Sequence, residues 1–266
     1  MTAAYTTFTN LLGALEGSDA RFEAAVPEDW LQGRTVYGGL ALALGLEAAQ
    51  RCLPQESALR SAQVAFMGPA RGRIALRVTP LRQGRNVVFL GVDLSGADGL
   101  ATHMILCFGR SRPSRLSGST CAMPKVPMPE DCPAFIADRQ APRFLDHFEL
   151  RMAGGERPAS SGTRGEMLVW VRHRDEAARQ GLIPLVALAD ALPPAIVTRL
   201  DAMVPLSSMT WQIEPLVALP RTRDGWWLMQ SVADGAGDGY AAQTMRTWSV
   251  TGEAALAARQ AVAVFA

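Results

Sequence analysis

At 266 residues, 48% hydrophobic and 19% charged, the chain can bury a full core as one large domain or two small ones. Its net charge of +1, with acids and bases interspersed, argues against a nucleic-acid or polyanion partner, which needs a clustered basic face. No apolar run reaches the roughly 18 residues that a membrane span requires.

The chain begins Met1-Thr2-Ala3-Ala4-Tyr5, which lacks the basic-then-apolar pattern of a secretory leader, so a cytoplasmic location is expected. Residues 37–53 alternate Leu and Ala almost without interruption, bracketed by Gly38-Gly39 and Pro54. That composition predicts a helix, and its apolar surface runs nearly all round, so it should be buried. Residues 61–67, 73–79, 86–94 and 100–108 are then short runs rich in Val, Ile, Leu and Phe. Gly68-Pro69, Gln83-Gly84 and Ala97-Asp98-Gly99 separate them as turns, the last reading as a hairpin.

Across 111–143 the character changes to Ser, Arg and Pro, with Pro113, Pro124, Pro127, Pro129, Pro133 and Pro142. This predicts an extended linker wrapping the surface. The pattern then restarts: strands at 144–152 and 166–174, a second helix at 184–192, and strands at 208–214, 225–233, 241–250 and 254–265. Pro184 suits the first helical turn, and Pro193-Pro194 ends or kinks the helix. Counting back five from the Phe that closes each half pairs His103 with Gln260. One helix followed by antiparallel strands, twice over, packs naturally as two sheets that each wrap a helix and join edge to edge.

The repeat is asymmetric where chemistry is expected. The first helix opens Val36-Tyr37-Gly38-Gly39 with no carboxylate near its start, whereas the second reads Leu185-Val186-Ala187-Leu188-Ala189-Asp190. A carboxylate among apolar neighbours is costly unless it has partners or a task. Asp190 therefore reads either as an acid capping the helix end or as a group that orients water and takes its proton. Gly38-Gly39 reads as a tight turn or as a backbone donor to a carbonyl oxygen, with the helix dipole behind it. Gln260, in a mostly apolar strand, needs partners for its amide: it would hold a water by its carbonyl oxygen, donate to substrate, or bond backbone. By period two, Ser208 and Thr210 share a face and Ser207 points away with Met209. His147 and His173 fall in polar segments read as exposed, and His103 reads either as a satisfied core histidine or, at the place equivalent to Gln260, as the relic of a second site. The cysteines Cys52, Cys107, Cys121 and Cys132 form no CxxC pair, so buried free thiols are expected and no metal site.

At Val36-Tyr37-Gly38-Gly39, Gly84-Arg85, Ala187-Leu188-Ala189-Asp190, Asp224-Gly225-Trp226 and Arg259-Gln260, the chain resembles the acyl-CoA thioesterase superfamily, specifically its two-repeat type II branch. The resemblance spans about Phe22 to Phe265 outside the linker. It implies an α+β double hotdog, each repeat a curved antiparallel sheet around a central helix. The repeats are 1–110 and 144–266, parted by the Pro-rich linker 111–143. It also implies an acyl-CoA substrate along the repeat interface, hydrolysed with no cofactor beyond the CoA that the substrate carries, and a homo-oligomer. In that family an Asp, a hydroxyl and a Gln of the second repeat position a water. Carried over, the Asp is Asp190 and the Gln is Gln260. An ungapped match anchored on Trp211 puts Pro205 where the family has Thr, with Ser207 and Ser208 within three residues, and Ser208 is the preferred candidate. Gly38 and Gly39 would polarise the carbonyl. Trp30, Phe66, Met67, Met209 and Trp211 would line the acyl tunnel, and Arg71, Arg73, Arg82 and Arg85 are candidates for the CoA phosphates. A dehydratase of the same fold needs a His shortly after the acid on one helix, and none follows Asp190. A non-catalytic acyl-CoA or acyl-ligand binding protein is the alternative reading.

Overall fold

The computed structural model describes residues 5–53, 57–116, 118–135 and 141–266; Pro54, expected to close the first helix, lies outside them. In chain order the elements are α1 (Phe8–Gly13), β1 (Glu16–Ser18), β2 (Arg21–Val26), β3 (Leu31–Gln32), β4 (Thr35–Val36) and α2 (Gly38–Arg51). The first half continues with β5 (Ser57–Phe66), β6 (Gly72–Gln83), β7 (Val87–Gly96) and β8 (Gly99–Arg110). The second contains β9 (Phe148–Gly155), β10 (Glu166–His173), α3 (Leu182–Leu188), β11 (Leu206–Pro215), β12 (Trp227–Gly237), β13 (Tyr240–Ser249) and β14 (Ala254–Val264).

Twelve strands form one antiparallel sheet in the order β1-β2-β6-β7-β8-β5-β11-β14-β13-β12-β10-β9. The halves meet at β5 and β11, where Thr210, Trp211, Gln212 and Ile213 pair with Ala65, Val64, Gln63 and Ala62. Period-two alternation sets which face is dry: in β2, Phe22, Ala24 and Val26 point inward and Arg21, Glu23 and Ala25 outward. The sheets curl over the two helices. Every Leu of α2, with Ala41, Ala43, Ala48 and Ala49, is essentially inaccessible, as the all-round apolar sequence requires. Each such Leu contributes about 1.5–3 kcal/mol by leaving water. The architecture is the double hotdog.

Three details depart from the sequence reading. Residues 143–147 form a helical turn, not the start of a strand, because Pro142 precedes them and Phe144 is drawn into a stack on Tyr37 at 4.1 Å. The helix α3 ends at Leu188, so Asp190 sits on the turn just beyond it, not inside it. There Ala189 N–H bonds both Leu185 O and Val186 O and Ala191 N–H bonds Leu188 O, a tightening that finishes the helix before Pro193 is reached. The described part of the Pro-rich segment lies along the outer face of the second half. Trp248 Nε1 donates to Cys121 O and Trp170 Nε1 to Pro127 O, both at 2.9 Å, and Cys132 is buried beside them. Of the thiols, Cys132 alone is buried and Cys52 is exposed, contrary to the expectation for all four.

Candidate active site

The start of α2 is pressed against the end of α3. Tyr37 precedes α2, is fully buried, and donates its hydroxyl to Ala187 O at 2.8 Å. Close approach explains the two glycines that follow. A Cβ on Gly38 would stand 2.6 Å from Asp190 Oδ2 and 3.2 Å from Phe66 Cζ, and one on Gly39 would overlap the Ala187 carbonyl oxygen. Gly38 and Gly39 of the first half and Asp190 of the second thus share one small volume.

From Asp190 a chain of side-chain amides runs across the second sheet. Gln260 Nε2 donates to Asp190 Oδ1 at 3.1 Å and to Ser208 Oγ at 2.9 Å. Gln260 Oε1 accepts from Gln243 Nε2 at 2.6 Å, and Gln243 Oε1 accepts from the Ala195 N–H at 2.7 Å. The carbonyl oxygen of Gln260 thus already accepts one hydrogen bond, from Gln243, and its NH₂ is the end that faces Asp190 and Ser208. Gln243 went unnoticed in the sequence because an amide in a strand has no motif. The one signal was its place in a strand whose other inward residues are largely apolar.

Ser208 reaches this cluster because β11 is irregular. The register against β14 shifts between Ser208 and Thr210. The extra residue, Met209, breaks the period-two rule, so Ser208 and Trp211 both face inward while Ser207 and Thr210 are exposed. Three residues beyond Pro205, the bulge thus turns the Ser208 hydroxyl toward Gln260. Trp211 is buried beside Gln260 in register, its indole N–H without a hydrogen-bond partner among the described residues. Of the other expected tunnel residues, Phe66 lies at Gly38 and Met67 is exposed, whereas Trp30 stacks on His147 at 3.8 Å and donates to Thr6 O.

One inward row shows how the repeat lost its symmetry. Across adjacent strands it reads Val92, Met104, Val64, Trp211, Gln260 and Gln243, with the join of the two halves at its centre. Met104, packed on Gly45 of α2, is therefore the counterpart of Gln260, and Val92 that of Gln243. His103 is neither that counterpart nor a core residue. It points outward, its Nδ1 2.7 Å from Asp93, which also pairs with Arg77. His147 and His173, expected to be exposed, are both buried, with Nε2 3.2 Å from Asp29 O and 2.8 Å from Pro184 O respectively.

Burial pushes the Asp190 carboxyl up to about 7, against the downward pull of the Gln260 amide and the Gly39 N–H that face it. At neutral pH it is poised between acid and base. Burial and the neighbouring Asp190 charge raise Tyr37 well above its ordinary value, so its hydroxyl stays a donor. Two open clefts, of about 720 and 490 Å³, are lined by other residues, so cleft size does not locate this cluster. Among the CoA-phosphate candidates, Arg73 is already paired with Glu23 at 2.6 Å. No group of three or more His, Cys, Asp and Glu with metal-ligand geometry occurs among the described residues.

Family models for the N-terminal and the C-terminal domain of acyl-CoA thioesterases match residues 26–109 and 129–264. A conserved protein of unknown function with a hot dog fold from Alicyclobacillus acidocaldarius superposes with a TM-score of 0.87 at 22% identity, covering 98% of this chain and 99% of that one. The tesB protein of Mycobacterium avium subs paratuberculosis gives 0.76 at 17%, covering 97% and 99%. The acyl-CoA thioesterase II TesB2 from Mycobacterium marinum gives 0.73 at 18%, covering 95% and 96%. At these identities the structures speak for the fold. No curated protein matches the chain.

Proposed function

The chain belongs to the acyl-CoA thioesterase family, and from that premise we propose that it hydrolyses an acyl-CoA thioester to the free acid and CoA at the Asp190 cluster. The observation that carries this reading is the meeting of Gly38 and Gly39 with an acid from the other half whose partners are Gln260 and the Gly39 amide.

Asp190 serves as the general base. Ionised, it accepts a proton from water and directs the remaining hydroxide character at the thioester carbon. The Gly39 N–H, at the start of a buried helix, leaves the carboxylate to donate to the carbonyl oxygen as that oxygen gains charge. Gln260 orients the acid from one side, and Ser208, whose oxygen accepts from Gln260, presents its own O–H toward the same water. Trp211 walls the acyl group from the sheet side. The thiolate of CoA leaves and takes up the proton that Asp190 carried.

The same reading keeps two repeats divided at 111–143, action in the cytoplasm, and a homo-oligomer, whose mass in solution checks the last. No helix among the described residues is long and apolar enough to cross a membrane. The test is release of free thiol from a panel of acyl-CoAs of differing chain length, aryl acyl groups included. Turnover on any member supports the reading. Binding of acyl-CoA without thiol release on any would leave a non-catalytic binding protein in its place.

A further inference from the structure

A side-chain amide offers an oxygen and an NH₂ that nearly match in shape, so what decides its orientation is the character of its neighbours. Here the decision is made outside the catalytic cluster. The Ala195 N–H is a backbone group and can only donate, so it fixes Oε1 of Gln243 toward itself. Nε2 of Gln243 then faces Gln260 and can only donate, which fixes Oε1 of Gln260 and leaves Nε2 for Asp190 and Ser208. Met245 Sδ, 3.6 Å from Gln243 Nε2, is an acceptor too and agrees with this sense. Gln243 is buried, and Ala195 opens the helical turn Ala195–Arg199 that follows Asp190 by a few residues. The four groups form a ring: Asp190, Gln260, Gln243 and the backbone just downstream of Asp190.

We propose that Gln243 is a positioning residue that locks Gln260 with its NH₂ toward Asp190, so that the acid faces a donor in every turnover. The inference rests on the hydrolytic reading of this site but concerns a different residue and a different property. A protonated Asp190 would prefer an acceptor opposite it, and the locked amide denies it one. Without the lock, Gln260 can turn its oxygen to the protonated acid, and the ionised base becomes scarcer at a given pH. Among the described residues, the titratable side chain facing Asp190 is the Tyr37 phenol, which stays neutral throughout the working range, so the amide's orientation is the variable.

Gln243→Met keeps the volume and removes both polar ends, and Gln243→Glu keeps the bond to Ala195 while an ionised carboxylate removes the donor to Gln260. Two readouts apply to each: the acid-limb midpoint of the pH–kcat profile, and the pH titration of the Asp190 carboxyl carbon by NMR. Both midpoints should rise by about 1 unit, with kcat at neutral pH down roughly fivefold and KM little changed. A Gln243→Met protein that folds and keeps the wild-type midpoint overturns the proposal, whatever its loss of stability. If only one variant folds, its midpoint decides. The carboxyl titration needs no turnover, so a chain that hydrolyses no acyl-CoA defeats the proposed function and still leaves the lock measured.

Discussion

Gly38 and Asp190 come from opposite halves of the chain, yet a single methyl on Gly38 would stand 2.6 Å from the Asp190 Oδ2. Both other neighbours of that missing methyl are atoms of Phe66, so the glycine opens space onto the acid and one aromatic ring. The contact ties the helix start of one repeat to the acid of the other, and it makes separable predictions for the two glycines.

In Gly38→Ala the obstacle is the far end of a side chain, which can rotate away. The protein should fold, with a loss of about 1–2 kcal/mol, but with Asp190 displaced and kcat reduced at least tenfold. In Gly39→Ala the obstacle is the Ala187 carbonyl, backbone that cannot move alone. That variant should lose more stability than Gly38→Ala. Thermal melts beside thiol-release rates check the order, and equal melting points would contradict it.

Asp190→Asn separates stability from catalysis. The folded carboxyl titrates near 7 against an ordinary 3.8. A carboxyl whose value is raised by folding contributes stability that is fully present below about 4 and lost as pH rises through 7. Wild type should therefore weaken relative to Asp190→Asn across that window. The variant should be the more stable above pH 7, by about 1–2 kcal/mol after discount for the solvent that reaches this half-buried side chain. Denaturant melts at pH 5 and pH 8 read the difference, and a gap that does not widen with pH refutes the shifted carboxyl.

The serines divide by the bulge. Ser208→Ala removes an acceptor of Gln260 and should lower kcat about tenfold with little change in melting temperature. Ser207→Ala and Thr210→Val lie on the exposed side and should leave the rate within twofold. A loss at Ser207 equal to that at Ser208 would put the hydroxyl on the wrong residue.

Met104 tests the broken symmetry. It is fully buried on Gly45, where the second half has an acid facing its amide. Met104→Gln would bury an amide with no matching partner and should cost about 1–3 kcal/mol without creating a second active centre. Burst or titration experiments should still count one site per chain.

Much of this was legible in the residues. The apolar Leu-Ala run from Leu40 to Ala49 announced a buried helix, Gly38-Gly39 announced a close approach, and an acid after Leu188 announced a charge with partners to find. What was not legible came from geometry that no local pattern encodes. Period two misplaces Thr210 because one bulged residue reverses the alternation. Counting from terminal Phe residues matched Gln260 to His103, one residue from its true counterpart Met104, and a one-residue error changes the face of a strand. His147 and His173 looked exposed because their neighbours in sequence are polar, whereas stacking on Trp30 and a bond to Pro184 O hold them inside. Gln243 was invisible because its partners come from three separate segments.

The most direct test of the central claim is thiol release from acyl-CoA by folded Asp190→Asn beside wild type, across pH 5 to pH 9. The account predicts a wild-type rate that rises with pH through about 7 and then levels, and a variant rate lower by about 10²–10⁴-fold at every pH. A variant that hydrolyses as fast as wild type, or a wild-type rate flat across that range, would contradict it.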